Sequence, residues 1–237
     1  MTSLLRVECV AKSFGGRRVL SSASLRGVSG EVRALFGRNG TGKSTLLKIA
    51  AGRITPDGGS VHFRDRAYLA ATLPDLAAEG MFYLPQRDLL SSGFTVRQQL
   101  AFVHAQFGGA AIDDVATQLG IRARLDQRPN TLSGGERRRA DLAAVLLRRP
   151  TCLLADEPYR GLAPYDAELL TRVLRKLAAA GTAVIVTGHD VATLLAAADY
   201  VTWCTSGTTY ELGPPSIATQ HAAFRREYLD AGISTRA

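Results

Sequence analysis

Three cysteines, two methionines and one tryptophan are few for 237 residues. Cys9, Cys152 and Cys204 are odd in number and far apart, so neither a disulfide framework nor a cysteine metal site is expected. All three read as buried, reduced thiols. Lysine is also scarce, at positions 12, 43, 48 and 176 only, so the net charge of +8 rests on arginine. The arginines are scattered except for Arg137, Arg138 and Arg139, and no aromatic residues interleave with that run. It reads as a solvated helix face rather than a nucleic-acid patch, and no direct nucleic-acid partner is expected. Long apolar runs are missing too: none approaches the roughly 18–20 residues that cross a bilayer. Arg6 and Glu8 interrupt the first apolar stretch, so no secretory leader is expected and a cytoplasmic location is. Repeats, low-complexity tracts and linkers are absent.

What is present is a hydrophobic content of 46%, enough for a substantial core. Residues 4–9 and 17–20 read as strands around a turn at Phe14, Gly15 and Gly16. A strand at 31–36 runs into a glycine-rich loop, and a helical pattern follows over 45–51. Pro56-Asp57-Gly58-Gly59 is a turn before a strand at 60–63, and 81–84 is a brief strand stopped by Pro85. Helical spacing then dominates 95–107, 112–119 and 134–147. Strands at 151–155 and 182–187 flank a helix over 165–180, and 200–205 with 208–212 form a late hairpin. The order predicts an α/β core interrupted by a helical insertion over about 86–149.

Gly37-Arg38-Asn39-Gly40-Thr41-Gly42-Lys43-Ser44, followed by Thr45, fits the phosphate-loop pattern G-x-x-x-x-G-K-[ST] between a strand and a helix. The glycines let backbone N–H groups curl toward phosphates, and the helix N-terminus adds partial positive charge. Lys43 is placed for the β- and γ-phosphates and the Ser44 hydroxyl for Mg²⁺. The apolar run from Cys152 delivers Asp156, a candidate metal holder, and Glu157, a candidate general base, where open sheets place ligands. Gln86 after one strand and His189 after another are candidates to sense the metal, the attacking water or the γ-phosphate. Leu132-Ser133-Gly134-Gly135-Glu136 is the rarer feature, a second glycine-led helix start, with Ser133 90 residues after Lys43 and 23 before Asp156.

Together these motifs resemble the nucleotide-binding domain of the ABC ATPases over nearly the whole chain. The resemblance implies one domain spanning 1–237: a P-loop NTPase core with a mixed sheet, an N-terminal antiparallel β subdomain and an inserted helical subdomain. It makes 37–45 the Walker A loop and Asp156-Glu157 the end of Walker B. Gln86 becomes the Q-loop glutamine, also near the metal, and His189 the switch histidine. Phe14 falls where the family stacks an aromatic ring on adenine. Two such domains are expected to sandwich two ATP molecules, with Ser133, Gly134, Gly135 and Glu136 completing a neighbour's site. The implied cofactors are ATP and Mg²⁺. The implied partners are a second ATPase subunit and an integral membrane permease, which would hold the chain at the inner face of the membrane.

Two departures stand out. Gly161-Leu162-Ala163-Pro164 has Ala163 where the family usually has Asp, which bears on communication between the paired sites. Arg87 replaces a commonly acidic residue on the face expected to meet the partner. The blocks 83–86, 132–139 and 224–229 are similar to lipopolysaccharide-export and branched-chain amino-acid-import ATPases. A soluble ABC ATPase working on a protein or nucleoprotein machine is the alternative role, and a regulatory subunit with weakened hydrolysis a further one.

Overall fold

The computed structural model describes residues 3–64, 66–68, 72–87 and 89–230. Two long strands, β1 (Ser3–Phe14) and β2 (Arg17–Val28), form an antiparallel hairpin, followed by β3 (Val32–Phe36) and α1 (Lys43–Ala50). Then come β4 (Gly58–Phe63), β5 (Arg66–Tyr68), α2 (Leu73–Ala78) and β6 (Met81–Leu84). The helical insertion comprises α3 (Val96–Phe107), α4 (Ile112–Gln118) and α5 (Gly134–Arg148). The chain returns through β7 (Cys152–Ala155), α6 (Pro164–Ala179), β8 (Ala183–Thr187) and α7 (Val191–Ala197). It closes with β9 (Tyr200–Thr205), β10 (Thr208–Gly213), α8 (Pro215–Ala218) and α9 (Ala222–Tyr228).

The strands join in one sheet of order β5-β4-β1-β2-β10-β9-β3-β8-β7-β6. The run β9-β3-β8-β7-β6 is parallel, and β1, β2, β4 and β5 make the antiparallel arm. Every residue of β3, β7 and β8 is buried, as parallel strands covered on both faces require. Their side chains divide with period two. Leu153, Ala155, Val184 and Val186 join the cluster shared with α5 and α6, whereas Cys152, Leu154 and Ile185 join the one under α1 and the antiparallel arm. The mixed α/β architecture with its helical insertion is the expected one.

The differences are local. The first two strands run much further than 4–9 and 17–20, because polar side chains alternate outward along an arm with one solvated face. Cys9 is exposed, which corrects the buried-thiol reading. It sits where the β1–β2 register shifts, with φ +48° and its N–H bonded to Ser24 Oγ at 3.0 Å. A bulge at that point turns the next side chain out of the alternation. Cys152 and Cys204 are buried as expected. The short helices α2 and α7 give too few residues for an apolar period to show.

Candidate active site

Three parallel strands, β3, β8 and β7, lie side by side and end at one edge, where their loops bring the polar motifs together. After β3 the chain turns at Gly37, whose absent Cβ would come within 2.6 Å of both Cys204 O and Thr41 Oγ1. Gly42, the residue before α1, holds φ +104°, and a Cβ there would stand 2.5 Å from Leu20 Cδ2. Larger residues at either position would open the loop. The first turn of α1 has no side-chain cap and no acidic residue, so its free amides and dipole are left to an anion. Lys43 Nζ donates to the carbonyls of Gly37 at 2.6 Å and Arg38 at 3.1 Å, folding the loop over its own ammonium. Burial lowers the Lys43 pKa, against the opposing charges of Glu157 and Asp156. A cleft of about 370 Å³ opens here between Arg17 and Val19 of β2, residues of the loop and α1, and Glu157.

Asp156 is buried beyond the end of β7 and has three hydroxyl partners. Its Oδ1 accepts from Ser44 Oγ at 2.9 Å and Thr187 Oγ1 at 3.1 Å, and its Oδ2 from Tyr83 Oη at 2.9 Å. Burial, and then the Asp156 charge, push the Tyr83 hydroxyl well above its ordinary range, so it stays a donor. A carboxylate beside a serine hydroxyl at the foot of this cleft is an all-oxygen donor set of the kind that fits Mg²⁺.

Glu157 has a left-handed backbone, φ +46°, at a position where glutamate rarely sits so. Its N–H donates to Thr187 Oγ1 at 2.8 Å, which anchors the strained peptide to β8. The carboxylate is a meeting point: Gln86 Nε2 donates to Oε2 at 2.6 Å and His189 Nε2 pairs with Oε1 at 2.8 Å. Arg160 Nη1 lies 3.5 Å from Oε2. Gln86, Glu157 and His189, drawn from three separate loops, therefore share one hydrogen-bonded group.

The second glycine-led helix differs from the first. Ser133 caps α5 by accepting from Glu136 N at 3.3 Å, and Glu136 Oε2 accepts from Ser133 N at 2.9 Å. This capping box leaves the amides of Gly134 and Gly135 at the helix start. Arg124, first, and the Ser133 contacts pull the Glu136 pKa down to about 2. The adjacent arginines are not a solvated face, contrary to the expectation. Arg137 Nε donates to Pro129 O, Arg139 Nη1 to Gly120 O, and Arg139 Nε pairs with Asp166. Arg138 is only 7% exposed, reaches the carbonyls of Pro85 and Gln86, and pairs with Asp141. A run of charges carries no periodicity that would distinguish these fates.

Some expected residues stand apart. Phe14, at the end of β1, is 47% exposed and does not line the cleft, although Lys12 Nζ lies 5.7 Å from its ring centroid. Residues 133–136 do not line the cleft either, so within one chain the two glycine turns are separate. Ala163 is the N-cap of α6 and offers no side-chain acceptor to it. Arg17, Val19, Tyr83 and Thr187 were not anticipated at the site. Only Tyr83, next to the Pro85-Gln86 stop, lay within a recognised block.

The family description "ABC transporter" matches residues 20–160. A lipopolysaccharide export system ATP-binding protein of Acidithiobacillus ferridurans is 28% identical over 97% of this chain and 98% of its own length. A hemin import ATP-binding protein of Streptomyces coelicolor is 40% identical over 86% of this chain and 75% of its own. Among solved structures, an ATP-binding cassette of an ABC transporter in its ADP conformation aligns at TM-score 0.83 and 21% identity, covering 97% of this chain and 99% of that one. A nucleotide-free cassette gives 0.83 and 21% over 94% and 96%. With a matching family over more than half of its length, a relative that aligns nearly end to end, another 40% identical over three quarters of its own length, and the same fold, the chain belongs to the ABC transporter family as an ATP-binding subunit and is an ATPase.

Proposed function

We propose that the chain dimerises on ATP and uses hydrolysis to drive a separate membrane permease, with the residues above in specific roles. The observation that carries the reading is the single carboxylate of Glu157, at the wall of the phosphate cleft, joined to both Gln86 and His189. In this assignment residues 37–45 wrap the phosphates, with Lys43 leaving its own loop's carbonyls for the β- and γ-phosphates. Ser44 and Asp156 hold Mg²⁺, with Gln86 near it, and the ion neutralises phosphate charge when bound. Glu157 takes the proton of the attacking water, and His189 and Gln86 orient that water and the γ-phosphate. Phe14 offers its exposed face to the adenine ring. Ser133, Gly134, Gly135 and Glu136 close the site of a second copy.

Among the described residues no helix is long and apolar enough to cross a membrane, so transport requires a partner that does. A groove of about 450 Å³ beside β6 and Leu89 suits an amphipathic helix of that partner. Phe82, Leu89, Val103 and Phe107 line it, with the Arg148 guanidinium 3.7 Å from the Phe107 ring centroid. Pull-down from detergent-solubilised membranes should recover an integral membrane protein, and light scattering should show ATP-dependent dimers. Recovery of soluble machinery alone would favour the soluble-ATPase alternative and overturn the transport role.

The buried ammonium adds a pH dependence. Lys43 loses its proton below the usual lysine range, while a bound phosphate favours the charged form. ATP affinity should therefore be full at neutral pH and fall as pH rises through the lowered pKa, with proton uptake on binding there. Titration calorimetry in buffers of different ionisation enthalpy reads both. An affinity flat to the ordinary lysine pKa would remove Lys43 from the phosphate contacts.

A further inference from the structure

We propose that Arg138, on the helix led by Gly134, is a positioning residue that aims the Gln86 amide at Glu157. Its guanidinium spans two successive carbonyls: Nη2 donates to Gln86 O at 2.7 Å and Nη1 to Pro85 O at 3.3 Å. Those oxygens belong to the two rigid peptide planes that flank the Gln86 Cα. Holding both planes fixes φ and ψ of Gln86, hence its Cα–Cβ direction, and the side chain then has one short path to Glu157 Oε2, which it reaches at 2.6 Å.

Burial makes the contact specific. Arg138 is almost wholly enclosed, and desolvation lowers its pKa against the opposing charge of Asp141. A buried cation is retained only with good partners, and here its polar partners are the loop carbonyls and Asp141. The planar fork is what bridges two acceptors, a geometry lysine does not reproduce. Arg138 also lies one turn after Gly134 and three residues after Gly135 on α5. The helix start assigned to the neighbouring subunit's ATP and the loop that carries Gln86 are thus joined by one side chain and shift together.

The inference rests on the proposed roles of Gln86 and Glu157, and a double-mutant cycle separates the two. Arg138→Lys keeps a cation beside Asp141 but loses the fork, whereas Gln86→Ala keeps both backbone carbonyls and removes only the amide. Each single variant should lower kcat roughly 10- to 100-fold, as small misplacements of a working group do, with the Kd for ATP within about twofold. In the Gln86→Ala background, Arg138→Lys should lower kcat by less than about twofold further, because there is no amide left to aim. A purely structural Arg138 would impose its full loss in both backgrounds, and that multiplicative result overturns the proposal while leaving Gln86 its role. An Arg138→Lys protein with unchanged kcat overturns it too. If Gln86→Ala turns over normally, the Gln86 assignment fails and takes this inference with it. Thermal unfolding of all four proteins reports any loss of fold, which would appear equally with and without the amide.

Discussion

Glu157→Gln should bind ATP, turn it over at least about a hundredfold more slowly and accumulate as a dimer. Removing a positioned general base typically costs 10²–10⁴-fold, and glutamine matches the volume of glutamate without a basic oxygen. The backbone at this position is already left-handed, held by Thr187, and both residues are unbranched at Cβ, so the exchange adds no new strain. Of the two short contacts, the glutamine carbonyl can keep one, to Gln86 or to His189, and the site remains assembled. Lys43, Ser44 and the amides of α1 are untouched, which is why affinity should survive. Phosphate release gives the rate, and light scattering with ATP gives the dimer. An unaltered rate would move the base elsewhere; a dead enzyme that stays monomeric in ATP would detach dimerisation from the nucleotide.

Lys43→Ala should weaken ATP binding by roughly 10- to 100-fold, the range expected when one charge-assisted hydrogen bond of about 1.5–3 kcal/mol is lost. The fold should tolerate the change better than its burial suggests. Desolvation already opposes the ammonium, and its hydrogen-bonding partners in the free protein are two carbonyls of its own loop. Removing it withdraws that desolvation cost along with the contacts. Calorimetric titration of ATP into both proteins, with a melting curve for each, separates ligand from fold. Equal affinities would contradict the phosphate-loop assignment directly.

Much of this was legible because the chemistry is written in contiguous residues. The phosphate loop needs its glycines and lysine at fixed spacing, and β7 needs an unbroken apolar run to bring Asp156 and Glu157 to the sheet edge. Gln86 and His189 stand out only through their order relative to the other motifs, and their convergence on Glu157 is a property of the folded chain. The supporting contacts were not legible either. Thr187 closes a buried strand without any sign that its hydroxyl serves both Asp156 and the Glu157 amide. Arg137, Arg138 and Arg139 look alike in sequence, yet their acceptors are the carbonyls of Pro129, Gln86 and Gly120, which only the folded chain brings near. Cys9 departs from the usual burial of cysteine because it lies at a register shift of the β1–β2 hairpin, which no residue-type tendency reveals. Short helices such as α7 start from a capping aspartate, Asp190, rather than from a visible apolar stripe.

The two glycine-led helices also set a limit on engineering the protein for heat resistance. Adding an Asp or Ser cap to an uncapped helix is a routine way to stabilise a domain, and α1 looks like an open invitation. At position 42 the left-handed backbone and the adjacent Leu20 methyl exclude any side chain, and a carboxylate that did fit would lie where the ligand's negative charge belongs. α5 can keep its cap because Glu136 and Ser133 satisfy each other beside the glycines instead of over them. The uncapped start of α1 is therefore one that design should leave alone, because in the proposed function its free amides hold the phosphates of ATP.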